Sequence, residues 1–279
     1  MSLLGARVVR EEPVGGGSIC AAARVTLADG RTVFVKTRPG APRGFFAAEA
    51  AGLGWLREPG TVALPAVLDV TGERLVLEWV RPGAPAVAAA EALGRGLAGL
   101  HAAGAAAFGA APASEGWIGA LALDGTPGEA WPEWYAHRRL LPYLRLARDR
   151  GATSGADAHR VEEVAARIAD LAGPPEPPAR LHGDLWGGNV HWSAAGAAYL
   201  VDPAAHGGHR ETDLAMLLLF GTPHVERVLA AYDEAAPLAG GWRARVPLHQ
   251  LFPLLVHAAL FGGGYGARAA RAATEALRG

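Results

Sequence analysis

The 279-residue chain is poor in features that several classes of protein require. A single cysteine, Cys20, excludes an intrachain disulfide framework and any cysteine-rich zinc module. Charge is scarce, at 19% of residues, and almost balanced, with 26 basic against 27 acidic side chains. No general basic field therefore exists to hold nucleic acid or an anionic membrane. Long apolar runs are missing too: residues 214–220 fall far short of the ~20 needed to span a bilayer. The opening MSLLGARVVREEP carries Arg7 and has no apolar core, so it does not read as a signal peptide. The expected setting is the cytoplasm, with neither nucleic acid nor membrane as partner. HExxH, His-x-His and Gly-x-Ser-x-Gly patterns are all absent. What remains is a chain that is 51% hydrophobic, with 38 glycines and 20 prolines, long enough for two lobes around a cleft.

The first 80 residues read as strands with one helix. Runs at 22–27 and 31–37 are β-prone and flank Ala28-Asp29-Gly30, a hairpin signal. A second strand pair is expected at 62–70 and 74–80, around Thr71-Gly72. Between them, Phe45–Arg57 has helical spacing, with Phe45, Phe46, Leu53 and Leu56 on one face. Arg81-Pro82-Gly83-Ala84-Pro85 breaks the pattern and reads as a hinge. Beyond it, helices are expected at 87–103, 131–150 and 156–171, and from 213 to the end. A short β section lies at 181, 190–192 and 198–201, and the alanine-rich 102–113 reads as helix filler. The expected architecture is a two-lobed α+β fold: a β-rich lobe over 1–80, a hinge at 81–85 and a mainly helical lobe over 86–279.

The densest chemical signal is Leu181-His182-Gly183-Asp184-Leu185-Trp186-Gly187-Gly188-Asn189, followed by Val201-Asp202-Pro203. An Asp, four residues and an Asn is the spacing of a kinase catalytic loop. One carboxylate (Asp184) must sit beside an attacking hydroxyl, while an amide oxygen (Asn189) and a second carboxylate (Asp202) hold Mg²⁺, which prefers oxygen ligands. The N-terminal part supplies matching pieces. Gly15, Gly16, Gly17 and Ser18 make a turn whose N–H groups can approach phosphate oxygens. Lys36 shares a strand face with Phe34, and Glu49 lies in the apolar stripe of its helix. A carboxylate buried there needs a cation, and Lys36 is the obvious one. Glu78, Trp79 and Val80, just before the hinge, are placed to meet an adenine edge through their backbone. His182 and Asp213 are expected to brace the catalytic loop. His182, His191, His206 and His209 also flank the two aspartates, but a metal-hydrolase reading lacks the HExxH or His-x-His spacing and leaves the glycine run and Lys36 unexplained.

The block LHGDLWGGNV, then YLVDPAAHGGHRETDLAMLLLFG, closely resembles the fructosamine kinase (ketosamine kinase) family, in the aminoglycoside phosphotransferase-like branch of the protein-kinase-like fold. The resemblance runs through VGGGSI, VFVKT, FFAAEAAGL, LVLEWV, LAGLH, GWIG, WPEWYAHRRL and LFPLLVHAALFGGGY. It implies ATP- and Mg²⁺-dependent phosphorylation of a sugar hydroxyl on a ketosamine, the adduct formed when a sugar glycates a small amine or a protein lysine. Carried over by position, Asp184 is the base, Asn189 and Asp202 hold magnesium, and Lys36 with Glu49 orders the phosphates. Pro203-Ala204 stands where protein kinases have Phe-Gly, which argues against activation by loop phosphorylation. Trp186, two positions after the base, is expected to stack on the sugar or its amine-bearing arm. Trp134 and His209 are further substrate candidates, with core packing the competing place for Trp134 beside Trp131 and Tyr135. A kinase for an aminoglycoside or choline-like compound, and a non-catalytic nucleotide-binding module, are the alternatives.

Overall fold

The computed structural model describes residues 2–15 and 19–279. The N-terminal part is an antiparallel sheet of β1 (Ser2–Leu3), β2 (Ala6–Pro13), β3 (Ala21–Leu27), β4 (Thr32–Thr37), β5 (Val67–Val70) and β6 (Arg74–Glu78), in the order β1-β2-β3-β4-β6-β5. The β3–β4 hairpin turns at Asp29-Gly30, where Gly30 takes φ +88°. Strand β2 corrects the sequence reading, which began the sheet at residue 22. It pairs with β3 on one side and only with the two-residue β1 on the other. Much of it stays exposed, so it lacks the apolar alternation that marks a half-buried strand.

Period-2 alternation decides what each face of the sheet does. Ala23, Val25, Leu27, Val33, Val35 and Val76 bury together on one face with Leu3. Phe34, Leu75 and Leu77 turn to the other, against α1 (Phe45–Arg57) and its Phe45, Phe46, Leu53 and Leu56. Lys36 therefore points toward α1. The connector after β6 is anchored rather than loose: Gly83 N–H donates to Trp192 O at 2.8 Å, and Arg81 O accepts from Ala194 N–H at 2.9 Å.

The remainder is mainly helical. It comprises α2 (Val87–Ala102), the hairpin β7 (Gly116–Ile118) and β8 (Leu121–Leu123), α3 (Trp131–Tyr135), α4 (Leu141–Asp149), α5 (Gly155–Ala166) and α6 (Ile168–Leu171). After these come β9 (Ala179–Leu181), β10 (Val190–Trp192), β11 (Ala198–Leu200), β12 (His206–Gly208), α7 (Arg210–Phe220), α8 (Val225–Ala235), α9 (Trp242–Phe261) and α10 (Tyr265–Ala276). Strand β9 pairs with β12 and β10 with β11. The span read as one helix over 131–150 contains a π-helical turn at Ala136–Leu140, and the span over 156–171 is interrupted at Arg167. The alanine-rich 103–113 is not helical. Gly104 and Gly109 have φ of +70° and +86°, and Phe108 pairs with Gly128 instead. None of the described helices is long and apolar enough to cross a membrane.

Two hydrophobic cores underlie this part. One surrounds Trp131, Tyr135, Leu140, Tyr143, Phe252 and Leu255. The other runs without a break from α1 through α2, α7 and α8, so packing continues across the connector after β6. Close helix approach depends on glycine at particular positions. A Cβ on Gly94 of α2 would overlap the carbonyl oxygen of Val228 in α8, whereas one on Gly54 of α1 would meet open space. Ala is favoured over Gly in a helix by up to about 1 kcal/mol, while overpacking costs about 1–3 kcal/mol. Gly54→Ala should therefore raise the melting temperature and Gly94→Ala lower it. Thermal unfolding of both variants checks this, and a stabilising Gly94→Ala would contradict the α2–α8 packing.

Candidate active site

Between the sheet and the helical part lies a cavity of about 730 Å³, lined by Lys36, Glu49, Asp184, Asn189 and Asp202 among others. Lys36 Nζ donates to both Glu49 oxygens, at 2.9 and 2.8 Å, and to Asp202 Oδ1 at 2.8 Å. The Lys36 and Glu49 side chains are each only 10% exposed, while that of Asp202 is 45% exposed. Burial works against the Lys36 charge, yet the carboxylates of Glu49 and Asp202 hold its pKa above the ordinary lysine value. Burial raises the Glu49 carboxyl against the pull of Lys36. Asp202, which burial would also raise, is held below its usual range by the same ammonium. Asp202 takes φ +55°, an uncommon conformation for a residue with a Cβ and one that structures maintain at functional sites.

The loop carrying Asp184 is fixed from beneath. Asp213, in the first turn of α7, accepts from His182 N–H at 2.7 Å and Gly183 N–H at 2.9 Å, and lies 3.3 Å from His101 Nε2. Gly183 needs its lack of a Cβ, since φ is +81° and a side chain would strike Ala204 O. His182 Nδ1 accepts from Asp184 N–H at 3.3 Å, so its Nε2 carries the proton given to Val201 O at 3.0 Å. Burial lowers the His182 pKa, which agrees with this neutral tautomer. His182 and Asp213 thus both sit under the loop.

Asn189 Nδ2 donates to Asp184 O at 2.8 Å and Asp184 Oδ2 at 3.0 Å, which leaves the amide oxygen for other use. Burial, and then the negative charge of Asp202, push the Asp184 carboxyl up to about 7. Glu49 and Asp202 bond the Lys36 ammonium and Asp184 lies within its field, so three carboxyl groups share one cation, an excess of negative charge that a hard cation relieves. The Asn189 amide oxygen and the Asp202 carboxylate are a donor set that fits Mg²⁺. Gly15 lines the cavity, while Gly16, Gly17 and Ser18 lie outside the described residues.

At the other end, Glu78, Trp79 and Val80 all line the cavity, in different ways. Glu78 N–H is spent on Ala66 O at 2.8 Å, and its carboxylate accepts from Ala66 N–H at 3.2 Å. Trp79 stacks with Phe34 at 6.5 Å and sits under the Arg24 guanidinium at 5.4 Å. Val80 O accepts from His191 Nε2 at 3.0 Å, and among the described residues Val80 N–H has no acceptor. That N–H, like those of Trp79 and Arg81, is left open to another acceptor.

Trp186 lines the cavity beside Asp184, with its ring against Gly188 and edge-on to Phe220 at 5.9 Å. The wall continues through His257, 4.8 Å from Phe220, then Tyr265 and the 49%-exposed Phe261. Sequence reading missed this wall, although His257, Phe261 and Tyr265 recur at four-residue intervals. Trp134 and His209, expected at the substrate, are corrected by the structure: both are buried and neither lines the cavity. Trp134 gives its indole N–H to Thr126 O at 3.0 Å and lies under the Arg139 guanidinium at 4.3 Å. His209 Nδ1 caps α7 by accepting from Glu211 N–H at 3.3 Å, and its ring packs on Trp131 and His249. The four histidines of the hydrolase reading are scattered. His182 is under the loop, His191 on the hinge and His209 at the α7 cap. His206 is driven by burial down to about 3, with Nδ1 bonded to Ala204 O. His209, Glu211 and His249 do converge, but both Glu211 oxygens are taken by Arg245.

The family model for fructosamine kinase matches residues 4–279. A probable ketoamine kinase of Thermus thermophilus is 39% identical over 253 residues, covering 91% of this chain and 88% of that one. The chloroplastic protein-ribulosamine 3-kinase of Arabidopsis thaliana is 32% identical over 273 residues, covering 95% and 82%. A crystal structure described as a fructosamine-3-kinase of Thermobifida fusca is 50% identical, with a TM-score of 0.92 and coverage of 99% and 96%. A choline kinase of Streptococcus pneumoniae shares the kinase-like fold at a TM-score of 0.64 and 18% identity, with coverage of 97% and 94%.

The raised Asp184 carboxyl has a consequence for stability. Between its ordinary value of 3.8 and about 7, the folded protein holds a proton that the unfolded chain has released. Stability therefore falls as pH rises through that window, and Asp184→Asn is exempt. In chelator, the melting temperature of the variant should gain on the wild type between pH 4 and 7, then run parallel above. A difference independent of pH would contradict the assignment.

Proposed function

Because this chain belongs to the fructosamine kinase family, we propose that it uses ATP to phosphorylate a sugar hydroxyl of ketosamines: fructosamine-, ribulosamine- or erythrulosamine-type adducts of small amines or protein lysines. Phosphorylation makes such an adduct less stable, so the reaction serves deglycation. The observation that carries the reading is one cavity that brings Lys36, Asp184, Asn189 and Asp202 together with an aromatic wall beginning at Trp186.

In this reading Asp184 accepts the proton of the attacking hydroxyl, and a pKa near 7 suits a base working at neutral pH. Lys36, oriented by Glu49, neutralises phosphate oxygens, and Val80 N–H meets the adenine. Mg²⁺, held by Asn189 and Asp202, would supply charge neutralisation on the transferred group. A ketosamine carries a secondary amine that is protonated at neutral pH, and the Trp186 face beside it contributes roughly 0.5–2 kcal/mol of cation–π attraction. Burial lowers the His257 pKa, so that ring extends the wall without repelling the cation.

Purified protein with ATP and Mg²⁺ should phosphorylate ribulosyl-, erythrulosyl- or fructosyl-amines and leave aminoglycosides untouched, read by mass of the product. Turnover of aminoglycosides alone would overturn the reading. Trp186→Leu keeps an apolar side chain but removes the π face. It should weaken ketosamine use by about tenfold while leaving ATP affinity nearly unchanged. Equal losses for both substrates, or a large fall in melting temperature, would make Trp186 a packing residue.

A further inference from the structure

The helix that carries Glu49 has a poorly secured start. Helix α1 begins after Gly44, at φ +76°, with no side-chain cap and no acidic residue in its first turn. Its C-terminal half is well held. Gly52 packs on Pro203 and Ala205, next to Asp202, and Arg180 donates to Trp55 O at 2.6 Å and lies over the Trp55 ring at 4.4 Å. The N-terminal half meets a different element. The Trp117 ring of β7 packs on Phe45 at 5.7 Å, and the Glu115 carboxylate lies against Gly44, where any Cβ would collide with it.

This contact bears directly on the Lys36 pair. Phe45 and Glu49 are four residues apart, so they share one face of α1. Trp117, together with the Arg38 guanidinium that lies over the Phe45 ring at 4.7 Å, therefore packs on the face that presents Glu49 to Lys36. The exposed Glu115 brings negative charge to a helix start that lacks its own. The turn after β7 reaches two further parts of the cleft. A Cβ at Gly119 would lie 2.8 Å from Leu260, which lines the cavity, and 3.0 Å from Ile19, which follows the glycine run in sequence.

We propose that Trp117 and Glu115 are positioning residues for phosphoryl transfer: the β7–β8 hairpin holds the start of α1 and so keeps Glu49 on Lys36. The proposal deepens the kinase reading above and rests on it. A loosened α1 weakens Lys36 at the phosphates and leaves the adenine contacts at the hinge intact. The loss must then be selective for the phosphate-bearing ligand.

Titration calorimetry with ATP plus Mg²⁺, and separately with adenosine, tests this without any acceptor. Trp117→Ala should lower ATP affinity by about tenfold, the scale of coupling through a packed contact, with adenosine affinity unchanged. Trp117→Phe, which keeps an aromatic ring on Phe45, should restore most of it. With a ketosamine that is turned over, kcat should fall while its KM stays put. Because Glu115 is exposed, Glu115→Ala should fold normally and show the same selective loss to about threefold, which keeps the test open if Trp117→Ala fails to fold. Equal losses for ATP and adenosine, or no loss for ATP, overturn the proposal. A protein with the ATP-selective loss but no ketosamine turnover supports the positioning role and contradicts the proposed substrate instead.

Discussion

One buried ammonium organises this molecule. Lys36 is nearly removed from water and survives as a charge only because Glu49 and Asp202 both reach it. Its partners come from different places: Glu49 from the helix beside the sheet, and Asp202 from 166 residues further along the chain. A buried cation that loses a partner costs about 3–5 kcal/mol, so the two parts of the chain are held together at the point where chemistry is proposed. The arrangement also leaves the site with more carboxylates than cations. Burial, with the Asp202 charge adding to it, raises Asp184 toward neutrality, and the surplus suits the proposed hard cation and its phosphates.

The surrounding structure serves to keep these groups in place. Asp213 is invisible from the cavity, yet its two oxygens hold successive N–H groups of the loop that ends in Asp184. His182 ties that loop to the strand leading into Asp202 through a neutral ring, which burial favours. Glycine appears where backbone must pass close to backbone, as at Gly183 against Ala204 O. The unbroken core from α1 to α8 means the cleft is walled by one packed body, with the aromatic wall beyond Trp186 drawn from α7, α9 and α10.

Much of this was legible in the sequence because the chemistry lies in short ordered strings. Asp184, Asn189 and Asp202 follow in the order and spacing of a catalytic loop, and Phe45–Arg57 announced its helix by apolar spacing alone. Lys36 and Glu49 were found as a pair because a carboxylate in an apolar stripe demands a cation. Legibility ended where burial depends on tertiary neighbours. Trp134 and His209 carry residue types suited to binding, but π-stacking and a helix cap consume them in the core. The aromatic wall of Phe220, His257, Phe261 and Tyr265 is assembled from three helices, and only folding brings them together. The contact of Trp117 with Phe45 was equally hidden, since no local pattern encodes it.

The central claim is that Glu49 acts on nucleotide through Lys36, and a double-mutant cycle on ATP–Mg²⁺ affinity tests it most directly. Lys36→Met and Glu49→Gln are measured alone and together by calorimetry, with melting curves to confirm that each variant is folded. Each single change should weaken ATP binding, and Glu49→Gln should add little once Lys36 has gone. Fully additive losses, or an Glu49→Gln variant that binds ATP as well as the wild type, would contradict the account.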